Sequence, residues 1–179
     1  DGKNMGDSAV TIVAIFLAAI LMFVFPLMTM ADKSDDVSQL SIQTSTTEFT
    51  NKIRTTGAIT QEDYDNFAQT LAATGNSYQV EMTVKKLDQN PAKKASGDGT
   101  TIGDNVYYTM YTKQVLEGIS TGKSNVLSLN EGDIVSISVE NTNTTIASQL
   151  RNFMYRVTGK SSGNIVAQES GIVTKTKSN

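Results

Sequence analysis

Residues 9–31, AVTIVAIFLAAILMFVFPLMTMA, form an apolar run of about 23 residues interrupted only by Thr11, Pro26 and Thr29. About 20 such residues are enough to cross the hydrocarbon of a bilayer as a helix. A secretory signal has a shorter apolar core, a basic flank before it and a small-residue cleavage site after it. Here the core is longer, and Lys3 is the only basic residue ahead of it, beside Asp1 and Asp7. The run therefore reads as a helix kept in the finished molecule. The chain begins at Asp1 rather than Met, so processing upstream of Asp1 is expected. One lysine on each side, Lys3 and Lys33, leaves the positive-inside bias undecided. The polar bulk lies C-terminal to the run, which points to a cytoplasmic N-terminus and a translocated remainder.

Two residues in this segment carry chemistry. Asp7 stands just before the run. One reading makes it a helix N-cap, accepting from the free N–H groups of the first turn. The other makes it a carboxylate that neutralises a cation on a neighbouring subunit, an α-amino group at Asp1 or the Lys3 ammonium, because an acid this close to hydrocarbon is costly unless paired. Pro26 lacks a backbone donor and clashes with the preceding turn, so a kink or local melting is expected there.

Beyond Ala31 the helix need not stop. Val37, Leu40, Thr44, Thr47, Phe49 and Ile53 recur at roughly helical spacing, and Gly57 is a plausible stop. One helix from about Ser8 to Thr56 would be about 70 Å long. Thr60-Gln61-Glu62-Asp63 opens a short helix in the manner of a capping box, with Tyr64, Phe67, Ala68 and Leu71 on one face and Gly75 ending it. Tyr78, Val80, Met82 and Val84 alternate with polar residues as in a half-buried strand. Residues 88–105, with Pro91, Gly97, Gly99 and Gly103, read as a long loop. Tyr107, Tyr108 and Tyr111 favour strand, with a turn to helix between Tyr111 and Ile119. Val126–Leu129 and Val135, Ile137 and Val139 flank Asn130-Glu131-Gly132-Asp133, a hairpin signal. Thr144 or Thr145 opens a further helix with Ile146, Leu150, Phe153, Met154 and Val157 inward, and residues 164–174 close as a strand. The whole is an α+β chain. Residues 1–56 are an N-terminal helix, apolar at 9–31; residues 57–179 are a small β-rich extracytoplasmic head with short helices.

Composition narrows the function classes. The net charge of −3, with no basic stripe, argues against nucleic acid as a partner. The chain has no cysteine, which excludes disulfides and thiolate metal sites. It has no histidine, which removes the usual general base and the commonest metal ligand. No phosphate loop, dinucleotide fingerprint or zinc spacing is present. Asp98, Asp104 and Asp133 lie near glycines without the ligand spacing of a calcium loop, so turn chemistry is the better account. Tyr107, Tyr108 and Tyr111 read as packing residues. No catalytic residue, metal or cofactor is expected. Ser and Thr make up about a fifth of the chain, a polar surface of low charge. Asn143-Thr144-Thr145 is a sequon and candidate glycosylation site that serves equally as a helix cap.

Taken together, a short polar N-terminus, the acidic Asp7, a long apolar run broken by Pro26, and a helix continuing into a β-rich head resemble the type IV pilin superfamily. The stretch FTNKIRTTGAITQEDYDNFAQTLAATGNSYQVEM, residues 49–82, is similar to the region after the helix in Tad-like pilin-related proteins of Gram-positive bacteria. The first resemblance covers about the first 55 residues and the second extends it to about residue 85. Lys3-Asn4-Met5-Gly6 resembles a prepilin-peptidase leader. The acidic position holds Asp where that family usually has Glu, and six residues precede it. The resemblance implies membrane insertion before assembly, engagement by an inner-membrane assembly machinery, and a cell-surface filament made of copies of the chain. It also implies that Asp7 neutralises a neighbour's N-terminal amine and that Pro26 lets the helix melt locally. Ala14, Ala18 and Ala19 would allow close helix approach, with Leu21 and Phe25 packing beside them. Burying some 23 apolar residues favours assembly by tens of kcal/mol at about 25 cal/mol per Å², and contacts that do not close generate a helical filament. A membrane-anchored adhesin or accessory component of a pilus or secretion apparatus is the alternative.

Overall fold

A computed structural model of the chain describes residues 2–88, 107–143, 149 and 166–177, with side chains from Gly6 onward. Helix α1 spans Gly2–Thr56 without interruption. The chain divides into two compact units: Asp1–Val37 with Thr144–Gly163, and Ser38–Asn143 with Asn164–Asn179. The second unit thus begins inside α1 rather than at its end.

In the second unit the C-terminal part of α1 is followed by β1 (Ala58–Thr60), α2 (Gln61–Ala72), β2 (Tyr78–Leu87), β3 (Tyr107–Tyr111), α3 (Thr112–Thr121), β4 (Val126–Ser128), β5 (Ile134–Asn141) and β6 (Val166–Ile172). The strands form a four-stranded antiparallel sheet of order β3-β2-β5-β6 and a two-stranded sheet of β1 with β4. This is the α+β class expected. Alternation sets the faces: Met82 and Val84 of β2, and Val135, Ile137 and Val139 of β5, are buried, while Glu81, Thr83, Ser136 and Ser138 between them point the other way. The buried face packs with Ile42, Phe49 and Ile53 of α1, Phe67 and Leu71 of α2, Val115 and Ile119 of α3, and Ile59, Leu127 and Leu129 of the small sheet. On the opposite face Ser136 and Ser170 share a 2.7 Å hydrogen bond across β5 and β6.

The stripe that α1 buries differs from the spacing read in the sequence. Ser38, Ile42, Thr46, Phe49, Thr50 and Ile53 are buried, whereas Val37 and Leu40 are open to solvent. At 100° per residue, Val37, Leu40, Thr44 and Thr47 lie on the side of the helix away from Phe49 and Ile53. The expected stripe joined two opposite faces, and it left out Ile42. Thr46 is tolerated inside because its hydroxyl donates to the Ile42 carbonyl at 2.7 Å.

Local signals placed most ends correctly. Thr60 caps α2 by accepting from the Asp63 N–H at 3.0 Å. Gly57 follows the last turn of α1 at φ 65°, and a Cβ there would sit 2.0 Å from the Lys175 carbonyl oxygen, so only glycine fits. β3 gives way to α3 at Thr112, whose hydroxyl accepts from the Met82 N–H at 2.8 Å and takes over from the ladder.

The hairpin expected between 126–129 and 135–139 does not form: β4 pairs with β1, and β5 with β2 and β6. Asp133 explains the divergence. Its fully buried carboxylate accepts from the Asn130 N–H at 2.8 Å and the Leu87 N–H at 2.9 Å. Gly132, at φ 92°, donates to the Val173 carbonyl at 3.0 Å. The turn therefore passes the chain from one sheet to the other, and the turn chemistry expected of Asp133 is what it performs. Asp98, Asp104, the loop at 88–105 and the helix expected after Thr144 fall outside the described residues but for Asp88 and Gln149.

Candidate assembly surface

In α1 the apolar run has no buried residue; Val24, Met28 and Ala31 are half-buried and the rest is exposed. Its most apolar 18-residue stretch has none of its residues buried, and by length and composition the helix is able to cross a membrane. A core helix of a soluble protein would be mostly covered, so this exposure sets the run apart from one. The pairing of its side-chain hydroxyls suits an apolar medium. Thr11 donates to the Asp7 carbonyl at 2.7 Å and Thr29 to the Phe25 carbonyl at 3.0 Å, so both polar side chains of the run are satisfied within the helix.

Of the residues read from the sequence, Asp7 lies inside α1, five residues beyond its first, and no acid stands in the first turn. A side chain there cannot reach the free N–H groups that an N-cap serves, so the capping role is excluded. Asp7 is exposed, and its carboxylate has no hydrogen bond or ion pair among the described residues. Lys3 is on the same helix with its side chain outside the described set, and Asp1 is outside it altogether. Pro26 is helical and exposed. Of the kink or local melting expected there, the helix shows no break: α1 is continuous through Pro26. Proline still leaves the Met22 carbonyl without its usual donor. Ala14, Ala18, Leu21 and Phe25, at spacings of four, three and four, share one exposed face; Ala19 lies on another.

Where α1 meets α2 within the second unit, Phe49 and Phe67 stack at the floor of a shallow groove of about 170 Å³ that Ser45, Lys52, Asp63 and Thr70 also line. Lys52 and Asp63 form an ion pair at its rim. The hydrogen bond to Asp63 and its charge raise the Lys52 ammonium above the usual lysine range. Partial burial pushes the Asp63 carboxyl up, but hydrogen bonds with Lys52 and Thr60 and the Lys52 charge outweigh it and hold the group below the usual carboxylate range. Among the described residues no group of acids could hold a metal ion. Asn143 is exposed after β5, but its amide is engaged: the oxygen accepts from the Ser77 N–H at 3.0 Å and the nitrogen donates to Asn76 at 3.3 Å.

The sequence reading grouped Val37 in one stripe with Phe49 and Ile53, whereas Val37 is a surface residue. The signal was present in Ile42, whose spacing to Thr46, Phe49 and Ile53 marks the buried side.

Fold and surface define an α+β head carried on an apolar N-terminal helix of membrane-crossing length. Compared with family models, curated proteins and solved structures, the chain matches none.

Proposed function

We propose that the chain is a structural subunit of an extracellular pilus-like filament, inserted in the membrane through α1 and then polymerised by burying that helix against other copies. The observation that carries this reading is the pairing of a head with a buried core of its own and a helix whose apolar run has no buried residue and is mostly exposed. The head buries a core of its own among the described residues. The run needs a partner, and only lipid or other apolar helices can supply one. At about 1.5–3 kcal/mol for each large apolar side chain removed from water, the run favours either by tens of kcal/mol, so the chain is not stable as a lone particle in water with the run intact.

The carboxylate of Asp7, exposed at the polar end of the run, is the group in position to meet a cation of a neighbouring copy. Its replacement tests this. In cells producing Asp7→Asn, the chain should reach the membrane at wild-type amounts while filaments recovered by shearing fall at least tenfold. Unchanged filament yield would remove Asp7 from the assembly step.

A further inference from the structure

One edge of β2 loses its neighbour before the strand ends. β3 pairs with β2 only as far as Tyr111 opposite Thr83, while β5 stays paired with β2 to Asn141 opposite Tyr78. In an antiparallel strand each residue turns its N–H and its carbonyl to the same neighbour, and successive residues alternate sides. Met82 turns both groups away from β5: the Thr112 hydroxyl accepts from its N–H at 2.8 Å and donates to its carbonyl at 3.3 Å. Val80, two residues away, turns the same way. Thr112 opens α3, so no strand continues β3 alongside Val80. Among the described residues nothing meets the Val80 N–H or carbonyl on that side.

Beside these two groups is a notch of about 390 Å³, lined by Val80 with Gln79, Glu81, Thr83, Tyr111 and Lys113. From Tyr78 to Met82 the open edge is about 13 Å long at about 3.3 Å per residue.

We infer that this half-edge of β2 receives an extended segment of another polypeptide as an added strand, with an aliphatic residue paired to Val80 and a basic residue beside Glu81. The backbone names the occupant class: one donor and one acceptor on the same residue, at ladder spacing, are matched by one residue of an extended peptide. The pleat sets its side chains. A residue opposite Val80 shares the face on which Val80 packs against the core, which favours an aliphatic one. Its two neighbours fall on the other face, beside Gln79 and Glu81. Glu81 is exposed, accepts from the Gln79 amide at 3.0 Å and pairs with no cation among the described residues. Lys113 lies 4.0 Å from Glu117 of its own helix. The notch thus has an acid open to a lysine or arginine of the incoming segment. A second copy does not offer its β6 edge, because α1 holds both ends of that strand: Gln39 donates to the Val166 carbonyl at 2.8 Å and Arg54 to the Ile172 carbonyl at 3.0 Å. The notch belongs to the head, so the inference is independent of the filament reading.

The probe is the peptide acetyl-Thr-Lys-Val-Lys-Thr-amide at millimolar concentration, added to the full-length chain in detergent. The readout is hydrogen exchange at the Val80 amide followed by NMR. Exchange should slow at least threefold with this peptide and stay unchanged when its central valine is N-methylated, which removes the donor for the Val80 carbonyl. In Glu81→Lys the protection should pass to the same peptide with glutamate in place of both lysines. No slowing with either peptide overturns the inference, as does equal slowing by the N-methylated one. Val80 already protected without peptide also overturns it: protection that rises with chain concentration puts a second copy in the notch, and protection at every concentration puts the chain's own residues there.

Discussion

The ring of Phe49 lies flat on that of Phe67, centroids 4.5 Å apart and planes 12° from parallel, joining α1 to α2 inside the core of the head. Both rings are buried. Replacing Phe49 with alanine deletes a buried ring and leaves a cavity, a loss of about 3–5 kcal/mol. Urea unfolding of the chain in detergent, followed by tyrosine near-UV dichroism, should show the head transition moved by that amount, and Phe49→Leu should recover more than half of it.

Much of the head was legible because its signals are local. Thr60 announces α2, Gly57 ends α1, and the alternation from Tyr78 to Val84 reports a strand whose one side is covered. What was illegible depends on the tertiary fold. The face of α1 that is buried is chosen by the sheet, and a polar-looking stripe of Ser38, Thr46 and Thr50 goes inside because Ile42, Phe49 and Ile53 share it. The hairpin signal around Gly132 was misleading because Asp133 reaches Leu87, more than 40 residues away in sequence, and no local pattern reports that bond. At the candidate surface the apolar run was evident, whereas the outward aspect of Val37 needed the structure.

The carboxylate of Asp133 serves two backbone donors at once. Asp133→Asn keeps the shape but turns a donor toward one of them, leaving a buried N–H unsatisfied at a cost of about 1–3 kcal/mol. The same urea measurement should show this loss with the slope of the transition unchanged, and Asp133→Ala should lose more.

Thr50 is fully buried and its hydroxyl has no hydrogen-bond partner among the described residues. Valine has nearly the same outline and no polar atom to satisfy. Thr50→Val should therefore stabilise the head by about 1 kcal/mol, read as a higher urea midpoint. A lower midpoint would show that the hydroxyl is satisfied.

The Lys52–Asp63 pair gives the head a small pH dependence. Asp63 is held below its ordinary range, so its contribution is present at neutral pH and is lost as pH falls below about 4. Lys52 is raised, so its contribution persists through the ordinary lysine range and is lost only as pH rises through the raised value. Since Lys52 is largely exposed, the pair is worth about 0.5–1 kcal/mol. Wild type should exceed Asp63→Asn by that amount at pH 7, with the gap narrowing at pH 3 and in 1 M salt.

The central claim is that residues 9–31 remain in the finished molecule and are covered there by copies of the same helix. Intact-mass measurement of the chain in filaments sheared from cells without detergent addresses it most directly. The account predicts a filament-borne chain whose mass includes the whole apolar run. Recovery of a monomeric particle whose sequence starts after Ala31 would contradict it.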